Sequence, residues 1–284
     1  MKLINQSFEI LEQKDFTITG IKKFIERCGR VCYKSEDRIT DDSYEKFVNM
    51  LEKRDHARPL EFGTVHLQMY ISDFHKLRDT LCINNMWNDQ WIKYHYAGNL
   101  TYVTTNYRYY LAIIKVFPSA EKDFVPQDDE LYPKRYTVHF ITSRGIMDEF
   151  RTHVGLSHLA ESSRYCSYDK NRFGNELTSI IPNWVNTNYP NKEQEGPSVA
   201  SIEWSTAMLD AEASYMNLIK MGCTAQEARE VLPLAVKSEL ISCGFEDAWS
   251  NFFYRRCAKD AHPMAREIAT KVRDKFKELN YVNQ

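Results

Sequence analysis

The first part of the chain carries two helical patterns of apolar residues followed by a strand-like one. Between residues 19 and 32 apolar side chains recur every three or four positions, which predicts an amphipathic helix. A second helical stretch follows, with Asp42 or Ser43 as its cap. Apolar and polar residues then alternate from 65 to 71, which predicts a half-buried strand.

The middle of the chain mixes helical and strand patterns. Residues 73–81 have a helical pattern, and 101–105 carry the β-branched and aromatic residues typical of a strand. An acidic connection that contains prolines occupies 118–133. A strong strand pattern at 136–141 then leads into a helical stretch at 146–153.

The last part of the chain is mostly helical in pattern. The longest helix is predicted at 198–221, where Gly222 can end it. Residues 224–227 have the form of a capping box and start a new helix. Two further helices are predicted at 246–261 and 264–279. We therefore predict one α/β (α+β) domain over residues 1–284, with a helical C-terminal half.

Composition narrows the class of protein. Hydrophobic residues make up 43% of the chain and charged residues 27%, values typical of a globular protein. The formal net charge of −2 offers no basic field for a nucleic-acid polymer or an anionic membrane. No apolar run approaches the ~18 residues of a membrane span, and the first residues lack the apolar core of a signal peptide. We therefore expect a cytoplasmic protein.

Cysteine and histidine spacings do not indicate a metal site. The seven cysteines are an odd number and contain no CxxC pair, which argues against a disulfide framework and a thiolate zinc site. His153 and His158 are five positions apart, whereas a helical metal pair needs four. Cys166 has two interpretations, a reactive thiolate beside Arg164 or a packed thiol. We predict no bound metal.

The segment from 150 to 170 is the strongest candidate for a ligand site. Ser162, Ser163, Arg164 and Tyr165 offer two hydroxyls, a guanidinium and a phenol within a few residues, a combination that suits a phosphate dianion. The common nucleotide and hydrolase motifs GxGxxG, GxxxxGK[ST], HExxH and GxSxG are absent.

Other candidate residues are arginines and histidines that lie beside aromatic residues. They are His56, His153, Arg229, Arg256 and His262. Two of them also have an ordinary structural explanation. Arg229 lies between acidic residues and could form a surface ion pair, and His262 precedes a helix and could cap it.

Several of these segments, in their order and spacing, resemble the flavin-dependent thymidylate synthases (the ThyX family). The similarity runs through nearly the whole chain. The matching stretches are 32–37, 56–63, 144–145, 161–166, 173–176, 228–233 and 252–262.

The resemblance implies a single domain with a central, mostly antiparallel sheet, and a homotetramer whose active sites are built from several subunits. It also implies conversion of dUMP to dTMP with methylenetetrahydrofolate, FAD and NADPH. Ser162 and Arg164 match the residues that hold the dUMP phosphate, and Arg229 matches a further dUMP-binding arginine. Arg256 matches the arginine that contacts the uracil and favours its ionised form, which is the catalytic role. His56 matches a histidine near the flavin and folate.

The chain departs from the family on the flavin side. The family motif Arg-His-Arg, seven residues before the serine, falls on Thr152, His153 and Val154, so both arginines are absent. An alternative register with one extra residue recovers Arg151. A neutral side chain cannot replace the bidentate phosphate contact of an arginine.

Further changes lie on the same side. A small hydroxyl residue is replaced by Arg58, a histidine by Phe62 and a glutamine by His262. The expected cofactor-binding residues are therefore His56, Arg58, His153 and His262, with Arg58 as a new phosphate contact. Three hypotheses stay open. The protein is a flavin-dependent thymidylate synthase, a paralogue that performs another C5 modification on a pyrimidine nucleotide, or a nucleotide-binding or assembly protein without catalysis.

Overall fold

The computed structural model describes residues 1–162, 168, 174–185 and 198–282. The strands of this part of the chain are β1 (Lys2–Ile4), β2 (Ser7–Leu11), β3 (Thr64–Tyr70), β4 (Ile92–Ala97), β5 (Leu100–Asn106), β6 (Phe124–Val125), β7 (Arg135–Ser143), β8 (Ser157–Ala160), β9 (Thr178–Ile180) and β10 (Lys237–Phe245). Its α-helices are α1 (Ile18–Tyr33), α2 (Ser43–Lys53), α3 (Ile71–Ile83), α4 (Tyr107–Val116), α5 (Arg144–Arg151), α6 (Val199–Lys220), α7 (Ala225–Ala228), α8 (Glu246–Arg256) and α9 (Pro263–Glu278).

One sheet has the strand order β4-β5-β3-β6 and is antiparallel. Side chains from α1 to α4 pack with this sheet in one apolar core. The strand predicted at 65–71 is present, but it was wrong to call it half-buried and to extend it to Ile71, where α3 begins. His66 is only 2% exposed because the rings of Phe16 and Tyr132 stack on its two faces.

A second sheet has the order β2-β7-β10-β8 and is also antiparallel. Helices α5, α8 and α9 contribute to the apolar core packed with it. Its strand β10 was not predicted from the sequence. The reason is that β10 is buried on both faces, so the chain shows no alternation, and Ser238, Glu239 and Ser242 are buried with its apolar residues.

A small parallel sheet joins β1 to β9, with Lys2 opposite Thr178. The α/β (α+β) class with mostly antiparallel strands is therefore confirmed. None of the described helices combines the length and apolar character that a membrane crossing needs. The organisation of residues 1–284 as one domain stays a prediction.

The predicted helices are present, with changes at their ends. Gly222 follows α6 with a φ of +95°, a conformation that glycine adopts without strain, and Thr224 and Glu227 form the predicted capping box. Helix α7 is only one turn long and continues as a 3-10 turn over Arg229–Val231. Helix α8 ends at Arg256, earlier than predicted, and His262 starts α9 as its cap.

We expect the stability of the second sheet to depend on Leu240, a fully buried residue of β10. Leu240→Ala leaves a cavity in the apolar core and should lower the free energy of unfolding by about 3 kcal/mol. Ile83→Ala, at a side chain that is 81% exposed, is the matched control and should cost under about 0.5 kcal/mol. Urea unfolding followed by circular dichroism measures both, and equal losses would contradict the central position of β10.

Candidate functional site

A cavity of about 400 Å³ lies where the start of β10 meets α5 and the end of β8. The backbone N–H groups of Arg144 and Gly145 donate to the carbonyls of Val236 and Leu234, at 2.9 and 3.1 Å, and join the beginning of α5 to this segment. We call this space the cationic cavity. Its described charged side chains are Arg144, Arg151, Arg229 and Lys237, with Asp148 and Glu161 as the acids.

The structure brings Ser162 and Arg229 together, because both line the cationic cavity. The Ser162 backbone N–H donates to the Cys32 carbonyl at 3.1 Å, so the end of α1 fixes its position. Arg229 lies on the 3-10 turn that follows the capping box, and its Nε is 3.3 Å from Glu230 Oε1. The predicted ion pair of Arg229 is therefore present, and its role in ligand binding stays a prediction. Arg164, like Ser163, Tyr165 and Cys166, lies outside the described residues.

Lys237 and two carboxylates form a buried group of charges at the wall of this cavity. The Lys237 Nζ is 3.0 Å from Glu161 Oε2 and 2.6 Å from Glu239 Oε1. Glu239 also pairs with Lys34, and its Oε2 is 2.8 Å from His139 Nε2. The side chains of Glu161 and Glu239 are only 3% and 10% exposed.

These contacts decide the charge states of the buried group. Burial by itself raises the pKa of Glu239, but the His139 hydrogen bond and the ammonium groups of Lys237 and Lys34 outweigh it and lower that pKa. Burial by itself lowers the pKa of Lys237, but the two carboxylates outweigh it and raise that pKa. Lys237 is therefore an ammonium and Glu239 a carboxylate at neutral pH.

A second cavity, of about 500 Å³, shares Tyr168 and Lys237 with the first. Four carboxylates and three lysines line its described part, which leaves a net charge of minus one, and we call it the acidic cavity; the lysines are Lys2, Lys34 and Lys237. The carboxylates are Glu36, Asp37, Glu176 and Glu239. Because Lys237 belongs to both walls, the two spaces meet at its side chain.

Arg256 lies apart from these cavities in the single chain. It is the last residue of α8, and its Nη2 donates to the Glu149 carbonyl at 2.7 Å. Its Nη1 is 3.6 Å from Glu149 Oε2, and its Nε is buried without a hydrogen-bond partner among the described residues. Arg256 is not one of the residues that line the cationic cavity.

His153 is next to Arg256 and is 6% exposed. Its ring meets the edge of Phe252, with 5.3 Å between centroids, and its Nε2 is buried with no partner in the described part of the chain. Burial lowers the pKa of His153, and the neighbouring Arg256 and Arg255 guanidinium groups lower it further. Thr152 and Val154 flank His153 in the sequence. The Thr152 hydroxyl donates to the Glu149 carbonyl at 2.8 Å, and Val154 is 80% exposed.

The other predicted cofactor residues lie on the surface. His56 is exposed, and its Nδ1 is 3.4 Å from the Tyr33 hydroxyl. Arg58 has a side chain that is 62% exposed, with Nη1 3.7 Å from Glu61 Oε2. His262 accepts a hydrogen bond from the Met264 N–H at 3.2 Å, so its capping role is confirmed.

Comparison with known proteins identifies the family. The family model for thymidylate synthase complementing protein (Thy1) matches residues 134–280, about half of the chain. The chain belongs to this family. The resemblance to ThyX proteins, based on short motifs, is thereby confirmed.

Solved structures with similarity to this Thy1 family member include two of PolB, a UMP/dUMP methylase from Streptomyces cacaoi. The structure bound with 5-Br dUMP has 13% sequence identity and a TM-score of 0.44, and the alignment covers 99% of this chain and 93% of PolB. The structure bound with 5-Br UMP has 12% identity and a TM-score of 0.46, with coverage of 99% and 92%. No curated protein sequence matches the chain.

The residues expected to bind a cofactor include donors that fit a dinucleotide, although two motif arginines of the Thy1 family are replaced. The charges of Arg58 and Arg151 both help to lower the pKa of His158, so each guanidinium group lies within electrostatic range of that ring. Their side chains are 62% and 57% exposed and so accessible to a diphosphate. The buried His153 Nε2 adds a polar atom that lacks a partner in the described residues.

Sequence reasoning missed two cations of the site. Arg144 belongs to a stretch that matches the family, but no motif gave it a role, and Lys237 begins the strand that the pattern did not reveal. Only the structure shows that both point toward the space occupied by Ser162 and Arg229. One signal of this charged group is present in the sequence. It is the lysine at 237, followed two residues later by a glutamate.

His158 should make the protein less stable in mild acid. Its Nε2–H donates to the His153 carbonyl at 3.1 Å, so its Nδ1 accepts from the Ser242 hydroxyl at 2.9 Å. Burial, with smaller effects from His153, Arg58 and Arg151, lowers its pKa from 6.5 to about 4. The unfolded chain therefore takes up this proton at a higher pH than the folded protein does.

We expect this difference to remove about 2 kcal/mol of stability between pH 7 and pH 5. His158→Gln should reduce the loss, while the lowered pKa of His153 keeps part of it. The measurement is urea unfolding at the two pH values. The lowered pKa of Glu239 acts mainly below its ordinary value of 4.5 and so stays outside this window. An unchanged loss in the variant would show that another group controls it.

Proposed function

We propose that the protein methylates dUMP at C5 to give dTMP, with methylenetetrahydrofolate as the carbon donor, FAD as the cofactor and NADPH as the reductant. Membership of the Thy1 family supports a methylase, and the cationic cavity supports a nucleoside monophosphate as the substrate. The observation that carries the proposal is the convergence of Ser162 and Arg229 with three other cations around one space of about 400 Å³.

The charge of the cationic cavity matches a phosphate monoester. Its described lining holds four cationic and two acidic side chains, which leaves a net charge of two positive units. A phosphate monoester carries about two negative charges at neutral pH. Arg144 and Arg229 supply planar donors for its oxygens, and Ser162 adds a hydroxyl. Arg164 would be a further donor from the adjoining segment.

Arg256 would act on the pyrimidine base. C5 of uracil is a weak nucleophile until negative charge develops on the ring, and a fixed guanidinium stabilises that charge by a few kcal/mol. The two contacts to Glu149 hold the Arg256 guanidinium in one place, so it needs little reorganisation during the reaction. The phosphate cavity supplies binding energy that positions the base for this contact.

The cofactor would lie near Arg58 and His153. When bound, a reduced flavin supplies the hydride that completes the methyl group. Arg58 would bind its diphosphate, while His56, His153 and His262 would contribute polar ring atoms. The neutral state favoured for His153 leaves its Nε2 able to donate or accept a hydrogen bond.

A homotetramer would bring the two parts of the site together. In one chain Arg256 is not part of the cavity that holds Ser162 and Arg229. Two exposed apolar residues lie beside this cavity. Leu234, whose carbonyl accepts from the Gly145 N–H, is 68% exposed, and Val231, on the same 3-10 turn as Arg229, is 38% exposed. Their exposure supports coverage by a neighbouring subunit, whose Arg256 would then face the base.

The absorption spectrum of the purified protein tests the cofactor. We expect added FAD to bind with a shifted flavin band that dUMP shifts again, because substrate and flavin share one site. Arg58→Ala should weaken FAD binding by about tenfold, the effect of one lost charged hydrogen bond. Lys271→Met, on the exposed face of α9, is the control and should bind FAD as the wild type does.

If dUMP binds and FAD does not, flavin-dependent methylation is excluded for this protein. The replacement of the motif arginines by Thr152 and Val154 would then favour a paralogue that modifies C5 by other chemistry. If neither dUMP nor FAD binds, the third hypothesis, a nucleotide-binding or assembly protein without catalysis, is left with the assembly role alone.

Mixed tetramers test the shared site. Arg256→Ala and Arg229→Ala should each abolish dTMP formation, and Arg255→Ala, at the exposed neighbouring arginine, should retain it. If one site takes Arg229 and Arg256 from different subunits, a refolded 1:1 mixture of the two inactive variants should regain up to about a quarter of the activity. A mixture that stays inactive would place both arginines in the same subunit.

A further inference from the structure

Lys237 has a position that the family match does not explain. Its side chain forms part of the wall of both the cationic and the acidic cavity, and its ammonium contacts Glu161 and Glu239. An ammonium has three N–H donors; one is donated to Glu239 Oε1 at 2.6 Å, and the ion pair with Glu161 Oε2 at 3.0 Å can take no more than a second. At least one is left for a ligand, since no other described residue accepts it.

The surrounding structure fixes this ammonium. Lys237 is the first residue of the central strand β10, where it is paired with Ser143 of β7. The Glu161 backbone N–H donates to the Glu239 carbonyl at 2.8 Å, so the two carboxylates are tied to each other through the backbone. A lysine that is already immobilised loses little side-chain entropy when it binds an anion.

The charges on the two sides of Lys237 differ. The described lining of the cationic cavity has a net charge of plus two, whereas that of the acidic cavity, with four carboxylates and three lysines, has a net charge of minus one. A phosphate is therefore favoured on the cationic side, and carboxylates on the acidic side can accept hydrogen bonds from hydroxyl groups. A nucleoside monophosphate that spans the junction therefore has one favourable orientation. Its phosphate lies with the arginines, and its sugar hydroxyls face the carboxylates.

We propose that Lys237 is a phosphate-binding residue at this junction and that it sets the orientation of the nucleotide. The inference rests on the proposed function, because it takes a nucleoside monophosphate as the ligand. A remaining N–H of Lys237 donates to a phosphate oxygen, while the net negative charge of the acidic cavity opposes entry of the phosphate on that side. A lysine that only neutralised these two carboxylates would have no effect specific to phosphate.

Calorimetric titration of Lys237→Met with three ligands distinguishes these roles. The ligands are dUMP, inorganic phosphate and deoxyuridine, which lacks the phosphate. We expect the Kd for dUMP and for inorganic phosphate to rise about tenfold, as one charged hydrogen bond is lost. The Kd for deoxyuridine should stay the same. Lys237→Arg should restore most of the dUMP affinity, and Lys271→Met should bind all three ligands as the wild type does.

A second variant covers the case in which Lys237→Met does not fold. Lys237→Met/Glu161→Gln removes one cation and one anion together, so the buried group keeps its charge balance. Unchanged dUMP affinity in the variant that folds would overturn the role of Lys237 and leave the proposed function intact. An equal loss for deoxyuridine and dUMP would also overturn it. A wild-type protein that binds neither dUMP nor phosphate would overturn the proposed function and this inference together.

Discussion

The buried carboxylate of Glu239 on β10 constrains the structure around both cavities. A carboxylate that is 10% exposed is costly to bury unless cations and donors surround it. Lys237 comes from the same strand, His139 from β7, and Lys34 from the end of α1. Each must keep its place for Glu239 to stay charged. This requirement joins α1 to the second sheet where the cavities meet.

The same group of charges fixes the segment that follows β8. Glu161 pairs with Lys237 through its side chain and with Glu239 through its backbone, and Ser162 is then bound to the end of α1. Ser162 therefore lines the cationic cavity from a hydrogen-bonded backbone position, although it lies outside any helix or strand. Preorganised donors of this kind bind an anion without the cost of ordering a loop. The stability of the sheet and the geometry of the cationic cavity depend on the same contacts.

The sequence predicted those parts of the fold in which one face of an element is buried and the other is exposed. Helix α1 and the capping box at Thr224 are examples, since their signals are local. Strand β10 was not predicted because both of its faces are buried. Its polar residues contact other polar groups of the core. Lys237 was missed with it. Ser162 and Arg229 were predicted from the family motifs, and no local pattern could show that they share a cavity, because their proximity depends on β10.

The surroundings of His153 and His158 differ electrostatically from those of Glu239. Around Glu239, opposite charges stand in contact and keep each other ionised. Around His153 and His158, burial is the largest effect and keeps both imidazoles neutral, and nearby arginines lower their pKa values further, against smaller opposing effects of backbone hydrogen bonds. The Arg58 guanidinium therefore has no imidazolium to compete with for an anion. Losing two motif arginines lowers the positive charge at residues 152–154, and Arg58 adds one such charge from another segment. A diphosphate held by Arg58 would contact a side chain that is exposed before it binds, so its affinity should fall more steeply with salt than that of a phosphate held in the more enclosed cationic cavity.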